Sequence, residues 1–192
     1  MKSPKLHFQE INIERLNRLF SSEKSHLRFL AYEVNLESME IIDGLCNNDP
    51  LDERREKVLW ILLSHFSKSE PIEKTGRLIN FRDLPGGYAY DTAFVCRAVQ
   101  PLSETFGEEP EKLIRAGKAL DGNTKSFGEV SIEIPSLPLI PLVYILWAKG
   151  EFPASANVLF NESASHFLPT EDLAVLAEIT TKRLQEANRT TI

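Results

Sequence analysis

Residues 81 to 97 read FRDLPGGYAYDTAFVCR, and this stretch holds most of the side chains in the sequence that suit ligand chemistry. Arg82 and Arg97 supply guanidinium groups, Asp83 a carboxylate, and Tyr88 and Tyr90 aromatic faces, while Gly86 and Gly87 leave backbone N–H groups open. Such a set suits a small anionic ligand, held by forked donors and a turn of free amides. The same residues also suit a purely architectural loop, with Arg82 or Arg97 paired to Asp83 or Asp91.

A second polar region, GEFPASANVLFNESASHFLPTEDL, places Asn157, Asn161, Ser163, Ser165 and His166 just before a predicted final helix, where an anion is favoured. Asn and Ser there also suit turn and capping chemistry. Ser163 and His166 lack a third orienting group in the sequence, so the pair does not amount to a nucleophilic triad.

The familiar chemical strings are missing. GxxxxGK[ST], GxGxxG, HExxH and GxSxG do not occur, so phosphate-loop, dinucleotide, zincin and hydrolase-elbow chemistry have no motif behind them. His7, His26, His65 and His166 are scattered, and Cys46 and Cys96 lie far apart, so no metal site is expected. Both thiols read as small buried apolar groups rather than a disulfide.

Charge and hydropathy narrow the partners further. With 22 Lys and Arg against 28 Asp and Glu the net charge is −6, which disfavours a nucleic-acid partner. Arg54, Arg55 and Lys57 alternate with Glu53 and Glu56 and read as a solvated helix face. The longest apolar run, 138 to 148, is too short to span a bilayer, so no membrane partner is expected. MKSPKLHFQE has no signal-peptide pattern, so a cytoplasmic location is expected.

The elements that would position these groups follow from periodicity. Asn12 precedes a short amphipathic helix through Leu16, Leu19 and Phe20. Leu30, Tyr32 and Val34, then Met39, Ile41 and Ile42, predict a hairpin. Asp49-Pro50 is read as a helix start, with the helix running to about Phe66 and His65 as a satisfied structural histidine. RLINF reads as a strand and Leu84 to Gly87 as a turn, with φ above zero at one glycine. A helix is expected from Thr92, kinked or divided near Arg97 by Pro101. Another begins at Pro110 and ends at Asp121-Gly122. EVSIEI, PLVYILWA and ANVLF follow as strands, the second of them central, and Thr170 is expected to cap a final helix with Lys182 and Arg183 near its end.

This order gives an α+β fold, a mainly antiparallel sheet with packed helices in a single domain. Residues 1–45 form its N-terminal helix and hairpin, 46–187 its main body and 188–192 a frayed tail.

INFRDLPGGYAY, CRAVQPLSETFG, PSLPLIPLVYILWAKGEFPASANVLF and HFLPTEDLAVLAE, over roughly residues 55 to 186, resemble a prokaryotic domain of unknown function found mostly in anaerobes. The resemblance implies a setting in redox or corrinoid metabolism and supplies no catalytic residues. Some members carry a cysteine-rich iron–sulfur module, which this chain lacks, so no cluster is carried over. The leading expectation is a non-catalytic ligand- or cofactor-binding accessory protein that holds a small anionic ligand or meets a redox or corrinoid protein partner. An enzyme using Asp83 or His166 as acid or base, and a protein-protein interaction module, are the alternatives.

Overall fold

A computed structural model describes residues 11–22, 25–46 and 49–190, with side chains from 51 onward in the last stretch. The N-terminal ten residues, with His7, and the last two residues of the tail lie outside the described residues.

The fold is α+β, built on two antiparallel sheets. The first has four strands in order: β1 (His26–Phe29), β2 (Tyr32–Asn35), β3 (Glu40–Asp43) and β4 (Asp49–Pro50). Preceding it is α1 (Ile13–Leu19), whose N-cap Asn12 accepts from the Arg15 amide. The connection between β1 and β2 is a two-residue turn at Leu30-Ala31, with φ of 49° and 58°, where the sequence reading had placed Leu30 in a strand. Left-handed backbone at two non-glycine residues is costly, and two hydrogen bonds hold it. Leu30 O accepts from Arg183 Nε at 2.9 Å, and Ala31 O accepts from the Gly44 amide at 2.9 Å.

Asp49-Pro50 is this sheet's edge strand and not a helix start. The helix α2 (Glu53–Phe66) begins later because Asp52 takes the cap, accepting from the Arg55 amide at 2.9 Å. The aromatic chain Phe29, Phe20, Phe66 and Phe167, with successive centroids 6.1 Å apart, joins the first sheet to the helices around it.

The second sheet runs in the order β5 (Leu78–Asn80), β9 (Ser155–Asn161), β8 (Ile140–Trp147), β7 (Val130–Leu137) and β6 (Asn123–Lys125). The continuous apolar run is the central strand β8, as its patterning predicts. Helices cover one face of it. α3 (Gly87–Phe94), a wide π turn (Val95–Val99) and α4 (Gln100–Phe106) form one rod; α5 (Glu111–Lys118), short α6 (Ala164–Phe167) and long α7 (Thr170–Thr190) complete the layer. Tyr144 on β8 donates to the Ala177 carbonyl at 3.2 Å, and Thr180 Oγ1 donates to Ser136 Oγ at 3.0 Å, fixing α7 across the sheet.

The rod departs from the sequence reading at its start. It starts at Gly87 rather than Thr92, because the turn that ends in Gly86 already sets the first helical residue. Near Arg97, where Pro101 was expected to kink or divide the helix, the α-helix is interrupted by the π turn Val95–Val99. Proline lacks an amide and crowds the carbonyl of residue 97, and the chain absorbs this by widening one turn, in which the Gln100 amide reaches back to Val95 O. The Thr181 hydroxyl of α7 donates to Ala98 O at 2.8 Å and braces that turn. Thr181→Val is therefore expected to cost about 1–2 kcal/mol by chemical denaturation, since a buried acceptor loses its donor. A change below a few tenths would show that the brace carries no load.

Thr170 also departs from expectation. Its hydroxyl donates to Pro85 O at 2.7 Å and ties α7 to the glycine turn, so it does not cap its own helix. No helix among the described residues is long and apolar enough to cross a membrane.

Candidate functional site

The glycine turn follows from its residues. The Gly87 amide donates to Leu84 O at 2.8 Å, and Gly86 has φ 74° and ψ −2°, the third position of a type II turn behind a proline. Gly87 is buried under Phe81, and a Cβ on it would lie 2.1 Å from Phe81 O. The chain therefore turns tightly and starts α3 with the Phe81 ring stacked on Phe94, centroids 4.1 Å apart.

The candidate residues separate into distinct places. Arg82 is exposed, with its guanidinium 5.2 Å from the ring centroid of Tyr88, itself 75% exposed. Asp83 accepts from Asn80 Nδ2 at 3.3 Å, and Asn80 Oδ1 accepts from Asn157 Nδ2 at 3.0 Å, a chain on the sheet face away from α7. Asn161 is buried, and its Oδ1 receives the amides and hydroxyls of Thr75 and Ser163. His166 Nε2 lies 3.0 Å from Glu70 O. The turn at Gly150 to Pro153 meets the end of α4: the Lys149 amide donates to Gly107 O at 2.9 Å and Lys149 Nζ bonds Glu108. His65, read as structural, has Nδ1 2.5 Å from Asp172 Oδ2.

Tyr90 and Arg97 are the two candidates that share a cavity. It encloses about 220 Å³ between α3, the π turn and α7, with Phe81 and Phe94 behind and Glu171, Val175 and Glu178 along one wall. Neither Asp83 nor His166 lines it. Arg97 is exposed, and among the described residues no carboxylate lies within ion-pair distance of it, so the paired architectural role is excluded. Widening of the helix at 95–99 sets the Arg97 side chain on the shared wall of this cavity and a second one; such turns are frequent at functional sites. Cys96 is exposed on the same turn, where burial was expected.

The second cavity, about 750 Å³, continues past Arg97, Val175 and Glu178 toward α2 and the first sheet. Tyr32, Arg55 and Glu186 in its wall belong to a charge network that sequence reading missed. Arg183 is fully buried; it bonds both Asp43 oxygens at 2.7 and 2.8 Å, donates to Glu186 Oε2 at 2.7 Å, and lies 4.1 Å over the Tyr32 ring. Arg55, read as part of a solvated face, instead bridges Glu186 at 3.0 Å and Asp43 at 3.6 Å. Arg183 and Asp43, the buried pair at the centre of the network, cancel in charge, which lowers the cost of their burial. The signal for it was Arg183 itself, which falls on the apolar stripe of Leu173, Leu176, Thr180, Leu184 and Ala187. Among the described residues no group of three His, Cys, Asp or Glu converges as metal ligands.

A family model described as a domain of unknown function, DUF3786, matches residues 8–183, nearly the whole chain. No curated protein and no solved structure matches it. The chain belongs to the DUF3786 family.

Proposed function

We propose that this member of the DUF3786 family is a non-catalytic binding module that holds a small organic anion at Arg97. The observation that carries the reading is an exposed guanidinium without a carboxylate partner among the described residues, on the wall shared by an aromatic cavity and a charged one. An anion with an apolar body suits both parts: its ring or chain packs on Phe81, Phe94 and Tyr90, and its charge meets Arg97. A net charge of −6 favours such a small ligand over a polyanion. The setting in anaerobic redox or corrinoid metabolism comes from the sequence resemblance, and an accessory role there agrees with a cavity that neither Asp83 nor His166 enters.

Native mass spectrometry of the wild type and Arg97→Ala, each purified anaerobically, tests this. The wild type is expected to carry a small acidic molecule that the variant releases, with melting temperature unchanged because Arg97 has no ion-pair partner among the described residues to lose. Equal ligand occupancy in both proteins, or a fall in melting temperature with no change in ligand, would count against it.

A further inference from the structure

Tyr32 is only 1% exposed, yet its hydroxyl has no hydrogen-bond partner among the described residues, and the residue lines the larger cavity. Buried polar atoms without a partner among the described residues are Arg15 Nε, Asn17 Oδ1 and Ser64 Oγ, so the Tyr32 hydroxyl is accessible from the cavity and not sealed in the packed interior. Around it the wall carries Arg54, Arg55, Lys182 and Arg97, with Val58, Val175 and Ile179 between them. The carboxylates of the wall are already engaged. Glu178 holds Lys182 at 2.7 Å, Glu186 holds Arg55 and Arg183, and Asp52 lies 3.7 Å from Arg55. Arg54 and Arg97 have no ion-pair partner among the described residues, so the uncommitted charge of the cavity is positive.

We infer that this cavity is an oxyanion subsite, in which a carboxylate or phosphate group of the ligand accepts the Tyr32 hydroxyl's hydrogen bond and meets the guanidinium groups of Arg54 and Arg97. The inference rests on the reading of Arg97 as a ligand fork and adds a specificity-determining donor to it. Burial pushes the Tyr32 hydroxyl up to about 12, so it remains a protonated donor at neutral pH. Its ring is fixed by the Arg183 guanidinium on one side and by Phe29, centroids 5.9 Å apart, on another, so the donor is placed before any ligand arrives.

Calorimetric titration with phenylphosphate and with benzoate tests the subsite and separates the two oxyanion sources by which probe binds. Tyr32→Phe removes one oxygen and keeps the ring; it is expected to weaken the bound probe about tenfold and to leave the melting temperature of the free protein unchanged. Unaltered affinity for both probes in Tyr32→Phe, or a lower melting temperature without probe, overturns the subsite. Weakening in Arg97→Lys but not in Tyr32→Phe overturns the subsite alone and keeps the anion-binding reading. No binding of either probe to the wild type overturns both.

Discussion

Arg183→Ala is expected to destabilise the protein by about 3–5 kcal/mol in denaturant titration, because it strands a buried carboxylate. Asp43 is 4% exposed and takes both its guanidinium bonds from Arg183; Arg55, at 3.6 Å, is too far to replace them. Leu30 O, Glu186 and the face of Tyr32 lose their contacts at the same time. In a chain of this size such a loss lowers the melting temperature by about 6–20 °C. Arg183→Met with Asp43→Leu is expected to recover part of it, since the stranded charge is gone. A loss under 1 kcal/mol in the single variant would show that the network is dispensable.

The same network sets how stability varies with pH. Burial raises the Asp43 carboxyl, but the hydrogen bonds and charge of Arg183 outweigh it and hold the group below its ordinary value. That contribution is present above the unfolded value of about 3.9 and is lost as the pH falls through the lower folded value. Tyr32 acts at the other limit. Its hydroxyl is pushed up to about 12 by burial, so stability falls as the pH rises from about 10, where the unfolded phenol ionises, toward that folded value. Unfolding followed against pH in Tyr32→Phe is expected to lose part of the alkaline drop. An unchanged alkaline limb would contradict this.

Gly87→Ala is the second large effect, expected at about 3 kcal/mol, whereas Gly86→Ala costs about 1 kcal/mol. The two differ in kind. Gly86 sits at φ 74° with open space around it, so alanine there meets only backbone strain. At Gly87 the new Cβ would lie 2.1 Å from Phe81 O and 3.3 Å from the Arg82 Cα, both backbone atoms that cannot rotate away. Relief requires moving the turn off α3, which separates Phe81 from Phe94. Equal losses in the two variants would mean that the turn slides as a unit.

What the sequence made legible was local. The alternation of EVSIEI, the apolar run of β8 and the Pro85-Gly86 turn each carry their reason within a few residues, and each stands in the structure. What stayed hidden depends on distant partners. Leu30 and Ala31 take a glycine-type conformation without being glycine, because Arg183 and Gly44 hold their carbonyls. Pro101 signals an interruption near Arg97, but its form, a widened turn whose Ala98 carbonyl is braced by Thr181, depends on a residue of α7. Arg183 and Asp43 are separated by 140 residues, so no window of sequence contains both. The candidate site was legible to the same degree. Tyr90 and Arg97 lie ten residues or fewer apart on one rod and share a cavity, whereas the wall facing them comes from α7 and the floor beyond from β2 and α2.

The most direct measurement of the Arg97 site is NMR of the arginine side-chain Nε–Hε resonances during titration with phenylphosphate. The Arg97 and Arg54 signals are expected to shift and saturate together, while Arg82, exposed beside Tyr88 and outside both cavities, stays in place. A shift at Arg82 with Arg97 unmoved would place the anion on the glycine loop and contradict the account.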